Sequence, residues 1–250
     1  MPIMKFYTFL LLLSSVFTVV SAQDRPFDIN LVKFNALTTP IGTYNISYET
    51  TLNSNWSFGI STNIRPKSSF PFRERIDRYY SDQDIIVSGT EISQFSLTPE
   101  LRYYPAFSSE FRGFYIAYYL QYSRYGISNH VDYIGRGNAN TPSKFNFNGA
   151  IHTYTLGASV GYQWRLTDRF YLDWQIVGPN FGFNKGEIVG LNSNNRPLNE
   201  FEQQDIQNKP NEFDIPLAQV KVEAGSQQID VKTKGMIAGV RLGLSIGYKF

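Results

Sequence analysis

Residues 239–250 are GVRLGLSIGYKF, a stretch in which apolar side chains occupy every second position. An alternation with a period of two residues predicts a β-strand that has one apolar face and one polar face. The opposite face holds only small or charged residues. Apolar side chains outside and small or polar ones inside are typical of a strand in a membrane-spanning barrel. The apolar positions are Val240, Leu242, Leu244, Ile246, Tyr248 and Phe250.

The same alternation recurs in residues 154–165, where apolar residues from Tyr154 to Trp164 are separated by small or polar ones. Weaker versions predict strands over 44–50, 56–64, 95–104, 114–123 and 170–177. A first candidate strand, over 28–37, alternates at Ile29 and Leu31 but then places Lys33 on the same face. We therefore expect a bulge or an early end at that point.

Residues 1–22 have the features of a secretory signal peptide: one cation (Lys5), an apolar run and a small residue (Ala22) before the expected cleavage site at Gln23. Residues 23–250 would then form the outer-membrane β-barrel domain. Removing Lys5 leaves 22 Lys+Arg against 21 Asp+Glu, a formal charge of +1. This balance argues against nucleic acid as a partner, and the chain has no cysteine for disulfides or thiol chemistry.

The connections predicted between the strands alternate in length. Short ones are expected over 51–55, 106–112 and 166–169, and long ones follow Ile64, Ser128 and Phe183. Short turns on one side and long loops on the other are typical of bacterial outer-membrane barrels, with the short side periplasmic. The predicted fold class is all-β: a closed antiparallel transmembrane β-barrel of about eight strands with long extracellular loops. Residues 184–234 are the longest such loop, with a hairpin expected around Gly225 and a short helix over 198–208.

Four motifs together resemble an uncharacterised outer-membrane β-barrel family of Gram-negative bacteria, a domain of unknown function with an OmpA/OmpX-like small barrel architecture. The resemblance extends over nearly all of the chain after residue 22. The resemblance implies a fold and leaves the activity open. The motifs are PELRYY (99–104), GASVGYQW (157–164), LDW followed by GPN (172–174, 178–180), and the stretch 239–250.

A terminal aromatic residue after alternating apolar residues is similar to the signal that barrel-assembly machinery recognises. The resemblance therefore implies that Phe250 has this role, besides being a lipid-facing residue. The expected partners are outer-membrane lipid and lipopolysaccharide, with the barrel as a monomer in the cell outer membrane.

The alternation predicts a set of polar residues that face the interior. In a barrel of about eight strands the side chains just fill the interior, and buried charges must pair. A packed polar plug is therefore favoured over a narrow or gated pore. The predicted inward residues are Glu49, Glu100, Arg102, Arg165, Asp173, Arg241 and Lys249, with Tyr104, Tyr115, Tyr119 and Gln121.

The sequence offers little for catalysis or metal binding. His130 is expected in an outer loop, and His152 at the outer end of a strand. A lipid A deacylase would carry Ser two residues after such a histidine, where this chain has Tyr154, so His152 is expected to be an interfacial packing residue. Asp77, Asp82 and Asp84 lack the glycine-containing spacing of a calcium loop.

Cations are denser than acids in the second predicted outer loop, where they could meet lipopolysaccharide phosphates. They are Arg65, Lys67, Arg73, Arg75 and Arg78. We predict no catalytic, cofactor-binding or metal site and no cofactor. The predicted function is a non-enzymatic barrel for envelope structure or surface recognition through its loops. The alternatives are a narrow solute channel, a lipid-modifying outer-membrane enzyme, and a soluble ligand-binding barrel with the opposite polarity.

Overall fold

The computed structural model describes residues 29–69, 85–105, 111–133, 142–208 and 218–250. These residues form one antiparallel sheet of nine strands and one α-helix. Within them, no helix is both long and apolar enough to cross a membrane. The elements are β1 (Asn30–Asn35), β2 (Tyr44–Thr51), β3 (Trp56–Ser69), β4 (Ile85–Tyr103), β5 (Gly113–Tyr133), β6 (Ser143–Arg165), β7 (Phe170–Asn192), α1 (Glu200–Asn208), β8 (Ala218–Ala224) and β9 (Gln228–Lys249).

Eight strands close into a ring of hydrogen bonds, because β9 pairs with β7 on one side and with β1 on the other. The paired residues can be followed once around the ring from Phe34 through β2 to β7. This path reaches β9 at Met236, ten residues before Ile246, with which Phe34 itself pairs. A stagger of ten residues over eight strands inclines the strands by roughly 40° to the ring axis.

The two ends of the ring differ. The turn end carries the connections 52–55, 104–112 and 166–169, and the loop end carries 36–43 and the longer connections that follow β3, β5 and β7. Several strands extend further toward the loop end than the sequence predicts: β5 reaches Tyr133, β7 reaches Asn192, and β9 begins at Gln228. His130 therefore lies in β5 rather than in a loop, which corrects the prediction.

The loop end has a small apolar core of its own, which contains Leu198 just before α1 and residues of four strands. In α1, Asn199 and Glu202 cap the helix reciprocally: each side chain accepts a hydrogen bond from the other residue's backbone N–H, at 2.9 and 3.0 Å. β8 folds back on β9 around Gly225, where the sequence predicts a hairpin. The buried core residues are Tyr133, Phe145, Leu198, Ala224 and Ile229.

The strand β1 differs from its prediction. Its register with β2 runs from Asn30 to Phe34 without a shift, so the expected bulge is wrong, but the strand does end early, at Asn35 rather than at residue 37. Leu31 and Lys33 both point into the ring and are fully buried, whereas Phe34 points outward. Leu31 belongs to an apolar cluster that fills the turn end of the interior, and Lys33 lies just beyond it. The cluster is formed by Ile29, Leu31, Tyr104, Phe111, Tyr115, Ala117 and Tyr171.

Candidate functional site

Beyond this apolar cluster, six charged side chains from five strands meet inside the ring. We call them the ionic cluster: Lys33, Glu49, Glu100, Arg102, Asp173 and Arg241. Three acids face three bases, so the formal charges cancel. Exact compensation matters because an unpaired charge in such a buried place carries a large desolvation penalty.

Asp173 is the centre of this cluster. Its Oδ2 lies 2.6 Å from both Lys33 Nζ and Arg102 Nη1, and the Tyr115 hydroxyl donates to Oδ1 at 2.8 Å. The Arg102 guanidinium also lies over the Tyr115 ring, 4.2 Å from its centroid. One carboxylate thus joins β1, β4, β5 and β7 across the interior.

The other two acids extend the network. Glu49 pairs with Lys33 and accepts hydrogen bonds from Ser57 and from the Tyr104 hydroxyl, the latter at 2.9 Å. Glu100 pairs with Arg102 and, at 2.6 Å, with Arg241. These bonds use both carboxylate oxygens of each acid, as buried charges require.

The sequence places most of this cluster correctly on the inner face, with three differences. Lys33 is missing from the predicted inward set, although it bonds two of the three acids. Arg165 instead pairs with Asp168 in the turn beside it, and Lys249 lies opposite Leu31 at the turn end. Because both positions lie near the end of a strand, neither side chain pairs with the ionic cluster in the described part of the chain.

Gln163 was also missed. Its amide donates to the Phe111 carbonyl at 2.7 Å, and its oxygen accepts from Lys33 and Arg102. The alternation itself offered a signal, because Gln163 lies on the same face of β6 as Gly157 and Gly161. Gln121, which was predicted to point inward, bonds to Ser123 nearer the loop end, at 3.0 Å.

Two glycines of the GASVGYQW motif hold the interior tyrosines in place. Gly161 lies directly opposite Tyr115 in the register, and Gly157 lies opposite Tyr119. A Cβ at Gly161 would overlap the Tyr115 phenol ring and lie 2.7 Å from the Trp174 carbonyl oxygen. The tyrosine rings therefore lie over glycine backbone, and this places the Tyr115 hydroxyl at Asp173.

We expect Gly161→Ala to lower the free energy of unfolding by about 1–3 kcal/mol, because the added methyl group overpacks the interior and displaces Tyr115. Gly59→Ala is the matched control: it is also an interior strand glycine, but its nearest new contact, the Tyr48 carbonyl oxygen, is at an ordinary 3.5 Å. The denaturation midpoints of both variants would measure the difference. Equal midpoints would contradict this account of the Gly161–Tyr115 pair.

Beyond the apolar cluster, the described residues line a smaller and a larger cavity. The smaller, of about 30 Å³, is beside the ionic cluster and has room for about one water molecule. The larger, of about 300 Å³, lies nearer the loop end and is lined largely by amides and hydroxyls, including Asn45, Asn63, Gln94, Gln121 and Asn180. Arg241 lines both cavities. The ionic cluster thus separates the polar cavity from the turn end.

The larger cavity extends to a gap in the wall of the ring. β8 pairs with β9 up to Gly235, and β1 pairs with it only from Ser245. Between Gly235 and Leu244, β9 is paired only with β7 in the described part of the structure, and Leu244 itself bonds to Asn35 and Ala36. Ala238, Val240 and Leu242 lie along this free edge and line the cavity.

The other residues singled out in the sequence lie apart from this site. His130 Nδ1 lies 2.6 Å from Asn146 Oδ1, and His152 Nδ1 lies 2.9 Å from the Tyr122 hydroxyl oxygen. Arg65 donates to the Ile41 and Ser69 carbonyls, and Lys67 pairs with Glu91. Among the described residues, no group of His, Asp and Glu is arranged to hold a metal ion. Outside the described residues lie 1–22, Arg73, Arg75, Asp77, Arg78, Asp82 and Asp84.

Comparison with known proteins gives one match. The family model described as "Protein of unknown function (DUF3575)" matches residues 7–188, which include β1 to β6 and most of β7. No curated protein and no solved structure matches the chain. Because the matched range covers most of the chain, the protein belongs to the DUF3575 family, whose function is unknown.

Proposed function

We propose that this chain is a non-enzymatic transmembrane β-barrel of the Gram-negative outer membrane, which holds structured loops at the cell surface. The observation that carries the proposal is the polarity of the ring, with charges buried inside and large apolar side chains exposed outside. Val240 is 64% exposed and Leu120 58%, whereas Lys33 is 1% exposed. A protein that folds in water buries its apolar residues and exposes its charges, so this reversal favours a lipid surrounding.

The exposed apolar side chains form a band around the ring. Each of the eight ring strands contributes at least two of them, for example Phe34 on β1 and Phe181 on β7. At the turn end the band finishes in neighbouring aromatic rings, such as Trp56 with Tyr103 at a centroid distance of 4.9 Å and Tyr162 with Trp164 at 4.6 Å. Aromatic rings are enriched at the interfaces of outer-membrane barrels.

The loop end supports the second half of the proposal. Its apolar core fixes α1 and the β8–β9 hairpin beyond the band, and Tyr133 donates a hydrogen bond to Asp205 of α1 at 2.9 Å. Connections held in this way present a defined surface, as recognition requires. The argument for recognition is by analogy with other small barrels.

A solute channel and a lipid-modifying enzyme have less support. The ionic cluster leaves a cavity of only about 30 Å³ at its level, which favours a plug. The interactions of His130 and His152 are with Asn146 and Tyr122, which favours structural roles for both. Lipid A modification by the purified protein would favour the enzyme, and conductance in planar bilayers would favour the channel.

The direct test is fractionation of the membranes, followed by gel migration with and without boiling. We expect the protein to sediment with the outer membrane and to migrate differently when it is not boiled, because a closed barrel resists detergent. A small periplasmic protein expressed alongside it controls for leakage between fractions. A soluble protein whose migration ignores boiling would contradict the proposal and favour a secreted ligand-binding protein.

A further inference from the structure

Four basic side chains form a row around the outside of the ring, at the loop-end border of the apolar band. Arg124, His152, Lys185 and Lys234 lie on consecutive ring strands, and each is directly opposite the next in the register. The adjacent residues Ser123 and Thr153 are buried inside, so the row faces outward. Residues paired in this way have Cβ atoms about 5 Å apart.

This row has no counter-ion from the described part of the chain. Like charges directly opposite each other destabilise a sheet, yet Arg124, Lys185 and Lys234 form no ion pair with another described residue. One step further toward the loop end, Lys232 does have a partner, Glu223 at 3.5 Å, and Glu187 lies directly opposite it in the register. The row therefore offers positive charge that an external anion would compensate.

Beside the two lysines is a groove with apolar walls. Its volume is about 490 Å³, and its lining includes Lys185, Lys234, Tyr154, Phe183 and Met236. The last three are among the large exposed apolar side chains of the band. Each of these three residues is two positions nearer the turn end than the row residue of its own strand, and so lies on the same outer face. The positive charges therefore lie next to an apolar surface, on its loop-end side.

We infer that this groove binds lipopolysaccharide, with a phosphate between Lys185 and Lys234 and acyl chains along Tyr154, Phe183 and Met236. The inference rests on the proposed function, which places this border at the outer leaflet. Ammonium groups form charge-assisted hydrogen bonds to phosphate, and these are about twice as strong as neutral ones. Arg124 adds a third cation to the row, and His152 lies between it and Lys185 in the register.

The experiment uses the full chain in dodecyl maltoside micelles, titrated with diphosphoryl lipid A and with the same lipid after dephosphorylation. We expect the variant with both Lys185→Gln and Lys234→Gln to bind diphosphoryl lipid A at least about tenfold more weakly, a loss of about 1.4 kcal/mol. The dephosphorylated lipid should bind wild type and variant equally. The control carries Lys67→Gln and Lys232→Gln, two exposed lysines that already pair with acids.

Unchanged affinity in the double variant would overturn the inference. Dephosphorylated lipid that binds the wild type as strongly as diphosphoryl lipid A would also overturn it, because such binding needs no anion site. Inorganic phosphate that binds as strongly would do the same, because such binding needs no acyl groove. Insertion into lipid vesicles and the boiling-dependent gel shift are measured on the same samples. If these succeed while the lysine effect is absent, only the lipopolysaccharide site fails, whereas their failure would contradict the membrane proposal itself.

Discussion

Arg102→Ala is expected to lower the free energy of unfolding in lipid vesicles by about 3–5 kcal/mol. The change removes the guanidinium that bonds Asp173 at 2.6 Å and also pairs with Glu100 and Glu49. Three buried carboxylates would then share only Lys33 and Arg241. Breaking a buried pair is costly because the remaining charge keeps its desolvation penalty.

Arg165→Ala is the matched control, since it deletes the same side chain from an ion pair at the exposed turn. Its partner Asp168 is 93% exposed, and such pairs contribute about 0–1 kcal/mol. Guanidinium titration followed by the boiling-dependent gel shift would compare the two variants. If Arg102→Ala does not fold, Tyr115→Phe removes a single hydrogen bond to Asp173 and should cost about 1–3 kcal/mol. A similar, small loss in Arg102→Ala, Tyr115→Phe and Arg165→Ala would contradict a cooperative ionic cluster.

Leu120→Arg tests which solvent surrounds the ring. Leu120 points outward on β5, between Phe114 near the turn end and Arg124 in the basic row. In a bilayer, arginine near the midplane of a barrel costs about 2–4 kcal/mol, so we expect a loss of that size in vesicles. In water, the same substitution at an exposed position would change stability by no more than about 0.5 kcal/mol.

The control for this variant is Gln227→Arg, which adds the same charge in the exposed turn of the β8–β9 hairpin. Unfolding titrations of both variants, in vesicles of matched thickness, give the comparison. An equal effect of the two substitutions would contradict the lipid-facing assignment of β5.

The period-two alternation was sufficient to predict most of the strands and which of their residues face the interior. β6 and β9 are strands where the pattern is strict, and the inward parity correctly selected Glu49, Glu100, Arg102, Asp173 and Arg241. The same alternation left Lys33 out of the predicted inward set. Its neighbour on the same face of the strand, Leu31, is apolar, and the alternation assigns apolar positions to the outer face. The physical reason is that the interior changes character along the ring axis: it is apolar at the turn end and ionic beyond.

Two other features could not be obtained from the sequence. The partners within the ionic cluster depend on the ten-residue stagger of the ring, which brings Lys33 to Asp173 across 140 positions of the chain. Beyond the apolar band, β5 and β6 continue through residues such as Asn129 and Asn146, which pair through their backbones and need no apolar face. The alternation fades there, although the strands do not end.

The ring closes where the first and last strands of the described chain meet, Leu31 opposite Lys249. The paired residues of this joint are Leu31–Asn35, with one further backbone hydrogen bond beyond each end, whereas β7 and β9 pair along nearly their whole length. Hairpins between consecutive strands close short loops, but this joint must close a loop of more than two hundred residues, at a higher entropic cost. We therefore expect this joint to form last during folding. Its amide protons should be the first in the ring to exchange with solvent. The rate of closure, rather than the strength of the long hairpins, would then set how fast the chain reaches its native state.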